Sequence, residues 1–214
     1  MSDELYAAIE ARFRGSTELI RERQRRYLRH VDHVDDDHRL LDLGAGRGEW
    51  LDLLRSAGIP SEGVDSNAEF VAANTTAGLE VVEDDVLAHL RTRSDSSLGA
   101  ITMFQVAEHL PLGVLVDVLV EANRSLRPGG TLIVEIPNLE TLRVGASTFW
   151  IDPTHVRPLH PELLVLLVER AGFSRIERET STPLEQPAAS VDPVVRALHG
   201  RIQGDGDFAV IARK

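Results

Sequence analysis

Short apolar runs alternate with helix-patterned segments along most of this chain, and this alternation constrains the fold more than any other feature. The apolar runs RLLDLG (39–44), SEGVD (61–65), LEVVEDD (79–85), GAITMFQVA (99–107) and TLIVEIPN (131–138) predict strands, with helices between them. A helix over 160–173 and strands over 174–180 and 207–214 follow. Strand–helix alternation at this spacing predicts an α/β, doubly wound sheet.

The two ends of this pattern carry additional elements. Residues 3–33 predict two helical pieces broken near Gly15, with Ser16 capping the second, so residues 1–37 are interpreted as an N-terminal helical extension of a domain over 38–214. The segment 181–207 is too long for a hairpin turn and is interpreted as an insertion, with a short helix from Pro193 to about His199. The sequence of the insertion is compatible with three roles: a lid over the site, a contact between subunits, or ordinary exposed surface. The helix after residue 111 is expected to end at Pro128-Gly129-Gly130.

Composition excludes several kinds of protein. The chain has no cysteine, so disulfides and thiolate nucleophiles are excluded, and its net charge of −11 argues against binding a nucleic-acid duplex. It has neither an apolar run of membrane-span length nor a signal-peptide core, and a cytoplasmic location is the default expectation. One basic cluster, LIRERQRRYLRH (19–30), fits either a solvated helix face or a local anion site.

The turn after the first strand reads LLDLGAGRGEW (40–50). Gly44, Gly46 and Gly48 would let a ligand approach the backbone closely at the point where such sheets bind ligands. A dinucleotide fingerprint requires a third glycine at position 49, where this chain has Glu49, which disfavours NAD. Asp42 would suit a cationic group such as a sulfonium.

Acids follow the next two strands as well. Asp65 ends the second strand, where a carboxylate reaches a ribose diol. Asp85 follows the third strand and is placed to accept from an adenine amino group, while Val86 offers a backbone donor and an apolar wall. Acids at the carboxyl edge of three successive strands predict a nucleotide site.

These motifs resemble class I S-adenosylmethionine-dependent methyltransferases over residues 38–138, through LLDLGAGRGEW, GVDSN, EDDVLAHL, FQVAEHLP and LRPGGTLIVEIPN. The resemblance implies a Rossmann-like seven-stranded sheet and S-adenosylmethionine as cofactor. It also implies that the glycine loop holds the methionine part of the cofactor, that Asp65 holds ribose and the Asp85 region adenine, and that Gln105 lies close to the methionine moiety.

A narrower resemblance rests on FRGSTELIRERQRRYL (13–28) and FWIDPTHVRPLHPE (149–162). Both stretches are similar to methyltransferases that cap surface or storage polysaccharides, including O-antigen chain terminators and sugar O-methyltransferases of mycobacterial methylated polysaccharides. This resemblance implies O-methylation of a saccharide or glycoside, in polysaccharide biosynthesis or capping. It also implies that Arg14 helps hold the cofactor carboxylate.

The loop FWIDPTHVRPLH (149–160) is the predicted acceptor wall, because it leaves the fifth strand at its carboxyl end and two prolines restrict it. His155 is the preferred general base with Asp152 orienting it, and His109 is the alternative base. The candidate acceptor-binding residues are Trp150, Arg157 and His160, the last of which also fits a helix cap. A divalent metal on Asp152, His155 and His160 is kept as an alternative.

Competing functions remain open at this point. A methyltransferase of the same fold for a small acid or phenol, and a cofactor-binding protein without turnover, are the main alternatives. A small molecule or an oligosaccharide is the expected substrate. The oligomeric state, including a homodimer, is not determined by the sequence.

Overall fold

The computed structural model describes residues 3–180 and 192–214. Its strands are β1 (Leu40–Leu43), β2 (Ser61–Asp65), β3 (Val81–Glu83), β4 (Leu98–Phe104), β5 (Leu126–Pro137), β6 (Ser174–Thr180) and β7 (Asp207–Arg213). Its helices are α1 (Asp3–Phe13), α2 (Thr17–Gln24), α3 (Glu49–Ser56), α4 (Ala68–Thr76), α5 (Val86–Thr92), α6 (Leu112–Ser125), α7 (Leu142–Ala146), α8 (Pro161–Arg170) and α9 (Pro193–Ile202). Short 3₁₀ segments cover Arg25–His30, Ala107–His109 and Thr148–Ile151.

The seven strands form one mixed sheet in the order β3-β2-β1-β4-β5-β7-β6. Strands β1 to β5 are parallel, whereas β7 pairs antiparallel with both β5 and β6. This arrangement confirms the predicted doubly wound sheet. The strand order reverses between β1 and β4, and a sheet of this kind binds ligands outside the carboxyl ends of the strands at that point.

Apolar side chains on the flanking helices bury both faces of the sheet. Helix α6 places Leu115, Val118, Leu119 and Ala122 on one face at helical spacing, and all are buried. On the other face, α3 buries Trp50 against Phe104 at 5.4 Å between ring centroids. Each fully buried large apolar side chain contributes about 1.5–3 kcal/mol, which makes the sheet a rigid platform for the loops at its edge.

The helix before β5 is shorter than predicted. It ends at Ser125, and Leu126 already pairs with Leu98 of β4. The ladder then shifts, so that Ala100 pairs with Thr131 and the residues between bulge out. Pro128 disfavours helical backbone at the residue before it, and pairing with β4 satisfies the backbone of Leu126 instead.

The N-terminal segments pack onto the sheet domain. Ser16 accepts a hydrogen bond from the Leu19 amide at 3.2 Å, which confirms the predicted cap. The Tyr27 hydroxyl donates to Glu135 of β5 at 2.6 Å. The division of the chain at residue 37 stays a prediction.

The second half of the predicted insertion contains the expected helix. Asp192 accepts from the Val194 amide at 2.7 Å, and α9 runs to Ile202, three residues beyond the expected end. Residues 181–191 lie outside the described residues, so the role proposed for the insertion stays open. None of the described helices is long and apolar enough to cross a lipid bilayer.

Candidate active site

Two adjoining cavities open at the carboxyl edge of the sheet. The first, called the glycine cavity, has a volume of about 420 Å³ and is lined by Gly44, Gly46, Asp65, Asp85 and Val86 among others. The second, called the histidine cavity, has a volume of about 380 Å³ and lies between α1, β5 and the loop after α7. Arg14, Gln105 and His109 line both cavities. A ligand in one cavity can therefore meet a ligand in the other at these three side chains.

Close packing explains the glycines of the loop after β1. Gly44 has φ of +75°, and a Cβ there would lie 2.4 Å from Cγ2 of Val106. A Cβ on Gly46, whose φ is +52°, would lie 3.2 Å from the Arg14 guanidinium. Gly48 is outside the lining of both cavities, and its Cβ would meet Asn74 at 2.1 Å. Gly44 and Gly46 thus shape the cavity wall, whereas Gly48 lets α3 begin against α4.

Asp65 holds the glycine loop in place. One carboxylate oxygen accepts from the Gly46 amide at 2.7 Å, and the other accepts from the Asn67 amide at 2.8 Å. These two bonds fix the Asp65 carboxylate at the wall of the glycine cavity.

Asp42 lies behind the cavity wall rather than in it. Its side chain is buried in β1, accepts from the Thr102 hydroxyl at 2.7 Å and lines neither cavity. Burial raises the pKa of Asp42 to about 7, although the bond from Thr102 opposes the rise. The Asp42 carboxyl is therefore bonded to β4 and does not reach the surface of either cavity, and its predicted contact with the cofactor stays a prediction.

Asp85 and Val86 line the glycine cavity at the start of α5. Asp85 caps that helix by accepting from the amides of Leu87 at 3.0 Å and Ala88 at 2.9 Å. Strand β3 is shorter than predicted and ends at Glu83, so Asp85 is a helix cap next to the strand end. Both Asp85 and Val86 line the glycine cavity, at the strand edge that the sequence predicts for them.

Gln105 sits between the cavities in a left-handed backbone conformation, with φ of +57°. Its side-chain amide donates to Glu135 at 3.3 Å and to Asp207 at 3.2 Å. Burial, and then the nearby Asp207 carboxylate, raise the pKa of Glu135 to about 7. A strained backbone at a non-glycine residue is typical of functional sites.

A hydrogen-bonded chain fixes His109. Asp152 accepts from both the amide and the hydroxyl of Thr154, at 2.8 and 2.6 Å, and the Thr154 oxygen lies 2.9 Å from Nδ1 of His109. The Thr154 hydroxyl has a single proton, which it donates to Asp152. Its oxygen therefore accepts from Nδ1–H of His109, and the ring's lone pair lies on Nε2. Asp152 orients His109 through Thr154, and not His155 as the sequence predicts.

His155 is fixed by a different partner. Its Nδ1 donates to the Phe149 carbonyl at 2.6 Å, and its ring packs on the Phe149 ring at 4.3 Å between centroids. Because Nδ1 of His155 carries the proton, the lone pair of the ring is on Nε2. The Nε2 atom lies 3.9 Å from a carboxylate oxygen of Glu108. The His155 and His109 rings are 4.7 Å apart. The two imidazoles therefore form a pair at the junction of the cavities.

Glu108 is fully buried, with 0% of its surface exposed. Neither of its carboxylate oxygens has a hydrogen-bond partner within the described parts of the chain. Burial raises the pKa of Glu108 to about 8. Its backbone carbonyl accepts from the Val156 amide at 2.9 Å, which ties the loop to the 3₁₀ segment that contains His109.

Three predicted acceptor-binding residues lie away from both cavities. Trp150 is 62% exposed, and its indole N–H donates to the Gly145 carbonyl at 2.9 Å. Arg157 lines neither cavity. His160 is exposed and caps α8, since its Nδ1 accepts from the Glu162 amide at 3.2 Å. Phe149 lines the histidine cavity instead of Trp150, because neighbouring residues of a 3₁₀ turn face different sides.

The structure also brings in residues that sequence reasoning missed: Tyr6, Thr154, Glu135 and Asp207. Asp207 begins β7, and it reaches the ligand edge because β7 runs antiparallel to the other strands. The sequence pattern of β7 does not give the direction of the strand, so it does not show which end of β7 meets the ligand edge. No sequence pattern marks Thr154 or Tyr6, whose ring lies edge-on to His109 at 6.4 Å between centroids.

The basic cluster at 19–30 is largely paired within the protein. Arg21 pairs with Asp52, and Arg29 with Glu179. Arg26 bonds the Tyr27 hydroxyl at 2.7 Å. Arg23 lines the histidine cavity together with Ile20 and Gln24, so part of the cluster borders the site.

A further cavity of about 560 Å³ lies at the other end of the sheet, against the starts of β1 and β2. Its charged walls include Arg39 and Arg55, whose guanidiniums bond Glu80 and the Ala77 carbonyl at 2.7 and 2.8 Å. Sheets of this class bind ligands at the opposite edge, so this cavity is not the candidate site.

Comparison with known proteins agrees with this geometry. A family model for a methyltransferase domain matches residues 14–178. A Mycolicibacterium smegmatis protein named "Probable S-adenosylmethionine-dependent methyltransferase" is 33% identical over 135 residues, which cover 63% of this chain and 51% of that protein. An uncharacterised 37.1 kDa protein in transposon TN4556 of Streptomyces fradiae is 34% identical over 123 residues, which cover 55% of this chain and 35% of that protein. The matches thus span about half, or less, of the length of these curated relatives.

Solved structures extend the likeness to nearly the whole chain. A SAM-dependent methyltransferase from Archaeoglobus fulgidus is 31% identical, has a TM-score of 0.88, and the match covers 98% of this chain and 99% of that one. Geranyl diphosphate C-methyltransferase from Streptomyces coelicolor A3(2), solved with Mg²⁺, geranyl diphosphate and S-adenosyl-L-homocysteine, shares the fold at a TM-score of 0.69 and 17% identity, over 92% of this chain and 79% of that one. The chain belongs to the S-adenosylmethionine-dependent methyltransferases.

Proposed function

We propose that the protein transfers the methyl group of S-adenosylmethionine to a hydroxyl of a saccharide or glycoside. The observation that carries this proposal is the His109–His155 pair at the junction of the two cavities, with each ring's lone pair on Nε2. A hydroxyl is a poor nucleophile while it keeps its proton, so an O-methyltransferase gains from a proton-accepting group at this point.

The glycine cavity fits the cofactor. A side chain on Gly44 or Gly46 would crowd the cavity wall, and we assign the ribose diol to the Asp65 carboxylate, which lines this cavity. We assign the adenine end to Asp85 and Val86, and the amino-acid end to Arg14 and Gln105, where the two cavities join. When bound, S-adenosylmethionine supplies an electrophilic methyl group on a sulfonium. Asp42 and Gly48 support this wall from behind.

The transfer forms one C–O bond and breaks one S–C bond. The sulfonium becomes the neutral thioether of S-adenosylhomocysteine, and the hydroxyl proton leaves through the histidine pair. His109 lines both cavities and so lies where the hydroxyl and the methyl group meet. Positioning the two reactants is worth about 7–11 kcal/mol in favourable cases, and proton removal adds a factor of about 10²–10⁴.

The lining of the histidine cavity favours a polyhydroxylated acceptor. It contains cations, carboxylates and amides together, among them Arg23, Arg143, Gln24 and Asp207, and these groups offer both hydrogen-bond donors and acceptors. Phe149 supplies an apolar face beside His155. A flat phenol would use few of these polar groups.

The carboxylates give a second candidate, N-methylation of a small amine. Asp152 and Asp207 border the histidine cavity and would attract an ammonium group. A Haemonchus contortus phosphoethanolamine N-methyltransferase shares the fold at 14% identity and a TM-score of 0.67, which shows the fold alone. Three arginines on the same cavity weigh against a purely cationic acceptor.

The test is incubation with isotopically labelled S-adenosylmethionine and separate acceptor pools of mannosides, glucosides, small carboxylic acids, phenols and amines. Mass spectrometry of the products identifies the methylated pool. We expect methylated glycosides. Methylation confined to the amine pool would replace the first proposal by the second, and no methyl transfer to any pool would favour a binding protein without turnover.

The histidine pair is tested by His109→Ala and His155→Ala, each measured for S-adenosylhomocysteine affinity and for turnover. We expect both variants to lose turnover by about a hundredfold or more while the affinity changes little. A His155→Ala variant with full turnover would leave His109 as the essential imidazole. Full turnover in both variants would remove the pair from the chemistry.

A further inference from the structure

Burial of the Glu108 side chain is energetically unfavourable. It is fully buried at the wall of the histidine cavity, and neither oxygen accepts a hydrogen bond from the described part of the chain. An ionised carboxylate without a partner is strongly disfavoured away from water, so buried charges are normally paired or bind a metal ion. The backbone carbonyl of Glu108 accepts from the Val156 amide, which fixes this residue beside the loop that carries His155.

Two imidazoles complete a ligand set around this carboxylate. One carboxylate oxygen of Glu108 and one ring nitrogen each of His109 and His155 all lie within 4.8 Å of one another. The Thr154 oxygen accepts from Nδ1 of His109, and the Phe149 carbonyl accepts from Nδ1 of His155, so each ring has a second partner that fixes its orientation. Second partners of this kind orient metal-bound histidines in known metal sites.

We propose that Glu108, His109 and His155 bind one divalent transition-metal ion, which in turn binds the acceptor hydroxyl. The inference deepens the proposed function and rests on it for the identity of the acceptor. Two imidazoles and one carboxylate leave coordination positions open, as catalytic metal sites require. A hydroxyl bound to such an ion loses its proton more easily. Because the histidine lone pairs would be bound to the ion, that proton would pass to solvent in the open histidine cavity.

This ligand set differs from the one expected from sequence. His160 caps α8, and Asp152 accepts from Thr154, so neither joins His155 in a cluster. A second group, His30 with Glu177 and Glu179, also has ligand spacing. There the Glu179 carboxylate is already paired with Arg29 and His30, and a bound cation would have to displace the arginine.

The binding test uses Mn²⁺ on metal-free protein, followed by isothermal titration calorimetry and by thermal unfolding, with no acceptor present. We expect one bound ion per chain, and a rise in melting temperature because the ion binds the folded chain alone. Glu108→Gln keeps the side-chain shape and should weaken Mn²⁺ binding by about tenfold or more, and should nearly abolish the thermal shift.

The matched control is His160→Asn, which removes an exposed imidazole from the same loop and retains a side chain able to cap α8. Its Mn²⁺ affinity should equal that of the parent. Melting temperatures in EDTA show whether each variant is folded. Equal Mn²⁺ affinity in Glu108→Gln and the parent would overturn the proposal, as would the lack of any heat or thermal shift in the parent with Mn²⁺, Zn²⁺ or Mg²⁺.

Turnover separates this proposal from the proposed function. If Mn²⁺ binds through Glu108 and no glycoside is methylated, the metal site stands and the acceptor assignment fails. If glycosides are methylated equally well in EDTA and in Mn²⁺, the assignment of the acceptor stands, the ion has no part in the reaction and the histidines act as bases.

Discussion

At the scale of single residues, the acids near the strand ends position the backbone around the glycine cavity. Asp65 accepts from the amides of Gly46 and Asn67, and Asp85 accepts from two amides of α5. Such bonds hold each carboxylate in place before a ligand binds, so little ordering is required on binding.

Asp65→Ala should weaken S-adenosylhomocysteine binding by about tenfold or more. The ribose hydroxyls lose their acceptor and the glycine loop loses its anchor, and an unpaired buried polar group costs about 1–3 kcal/mol. Isothermal titration calorimetry measures the affinity. The control is Glu83→Ala, which removes the exposed acid paired with Asp65 in the ladder. Equal affinity in the well-folded Asp65 variant would remove this residue from the cofactor site.

Asp42→Asn should make the free energy of unfolding depend less on pH between about 4 and about 7. The folded chain keeps the Asp42 proton up to about pH 7, whereas the unfolded chain releases it near the ordinary pKa of 3.8. The unfolded state therefore binds fewer protons in between, and the free energy of unfolding falls as pH rises from about 4 to about 7, then levels. Urea unfolding of both proteins across this range should show the fall reduced in the variant. Parallel curves would contradict the buried, protonated carboxyl.

At the scale of elements, the loop 148–160 acts as a support for two imidazoles. The Phe149 carbonyl fixes His155, and Thr154 fixes His109. Pro153 and Pro158 restrict the loop backbone, which lowers the entropy lost when it takes this shape. The loop is tied to the segment after β4 through the Glu108 carbonyl. The two histidines are thus held by one structural unit although they are 46 positions apart in sequence.

Thr154→Val should reduce kcat by about 10–100-fold with little change in the KM for S-adenosylmethionine. The substitution keeps the branched shape and removes the hydroxyl that links Asp152 to His109, so the ring loses its orienting partner. Thr76→Val, on the exposed side of α4, is the matched control. A Thr154 variant with the parent's kcat would show that His109 does not depend on this link.

At the scale of the whole molecule, the glycine cavity is assembled from distant parts of the chain. Its lining residues come from α1, from the ends of β1, β2 and β4, from α5 and from the loop around Thr154. The cavity cannot exist in the unfolded chain, so a ligand of this cavity binds the folded state alone and stabilises it by mass action.

S-adenosylhomocysteine at about 100 times its Kd should therefore raise the free energy of unfolding by about 2.7 kcal/mol, and NAD at the same concentration should not. Chemical unfolding with each ligand measures both effects. In Asp65→Ala, the stabilisation by S-adenosylhomocysteine should be smaller than in the parent. A stabilisation by NAD equal to that by S-adenosylhomocysteine would contradict the interpretation that Glu49, in place of a third glycine, disfavours NAD.

The sequence by itself determined most of the strands and helices, the sheet class and a nucleotide site, and its resemblance to a known family implied the cofactor. These features are marked by local patterns, which can be recognised in the linear sequence. The patterns are apolar runs for strands, caps such as Ser16 and Asp192 for helices, and the acids after successive strands. The glycine loop and Asp65 were predicted for the same reason, since the carboxyl ends of parallel strands share one edge of a sheet.

Only the tertiary structure decided which side chains meet at the acceptor wall. Thr154 links Asp152 to His109, Phe149 replaces Trp150 at the cavity, and Glu108 lies between the two histidines. Asp207 reaches the site because β7 is antiparallel. These contacts depend on how a loop folds back onto a distant segment and on which way each side chain points. Such packing is set by long-range burial and by the direction of a strand, which no local periodicity encodes.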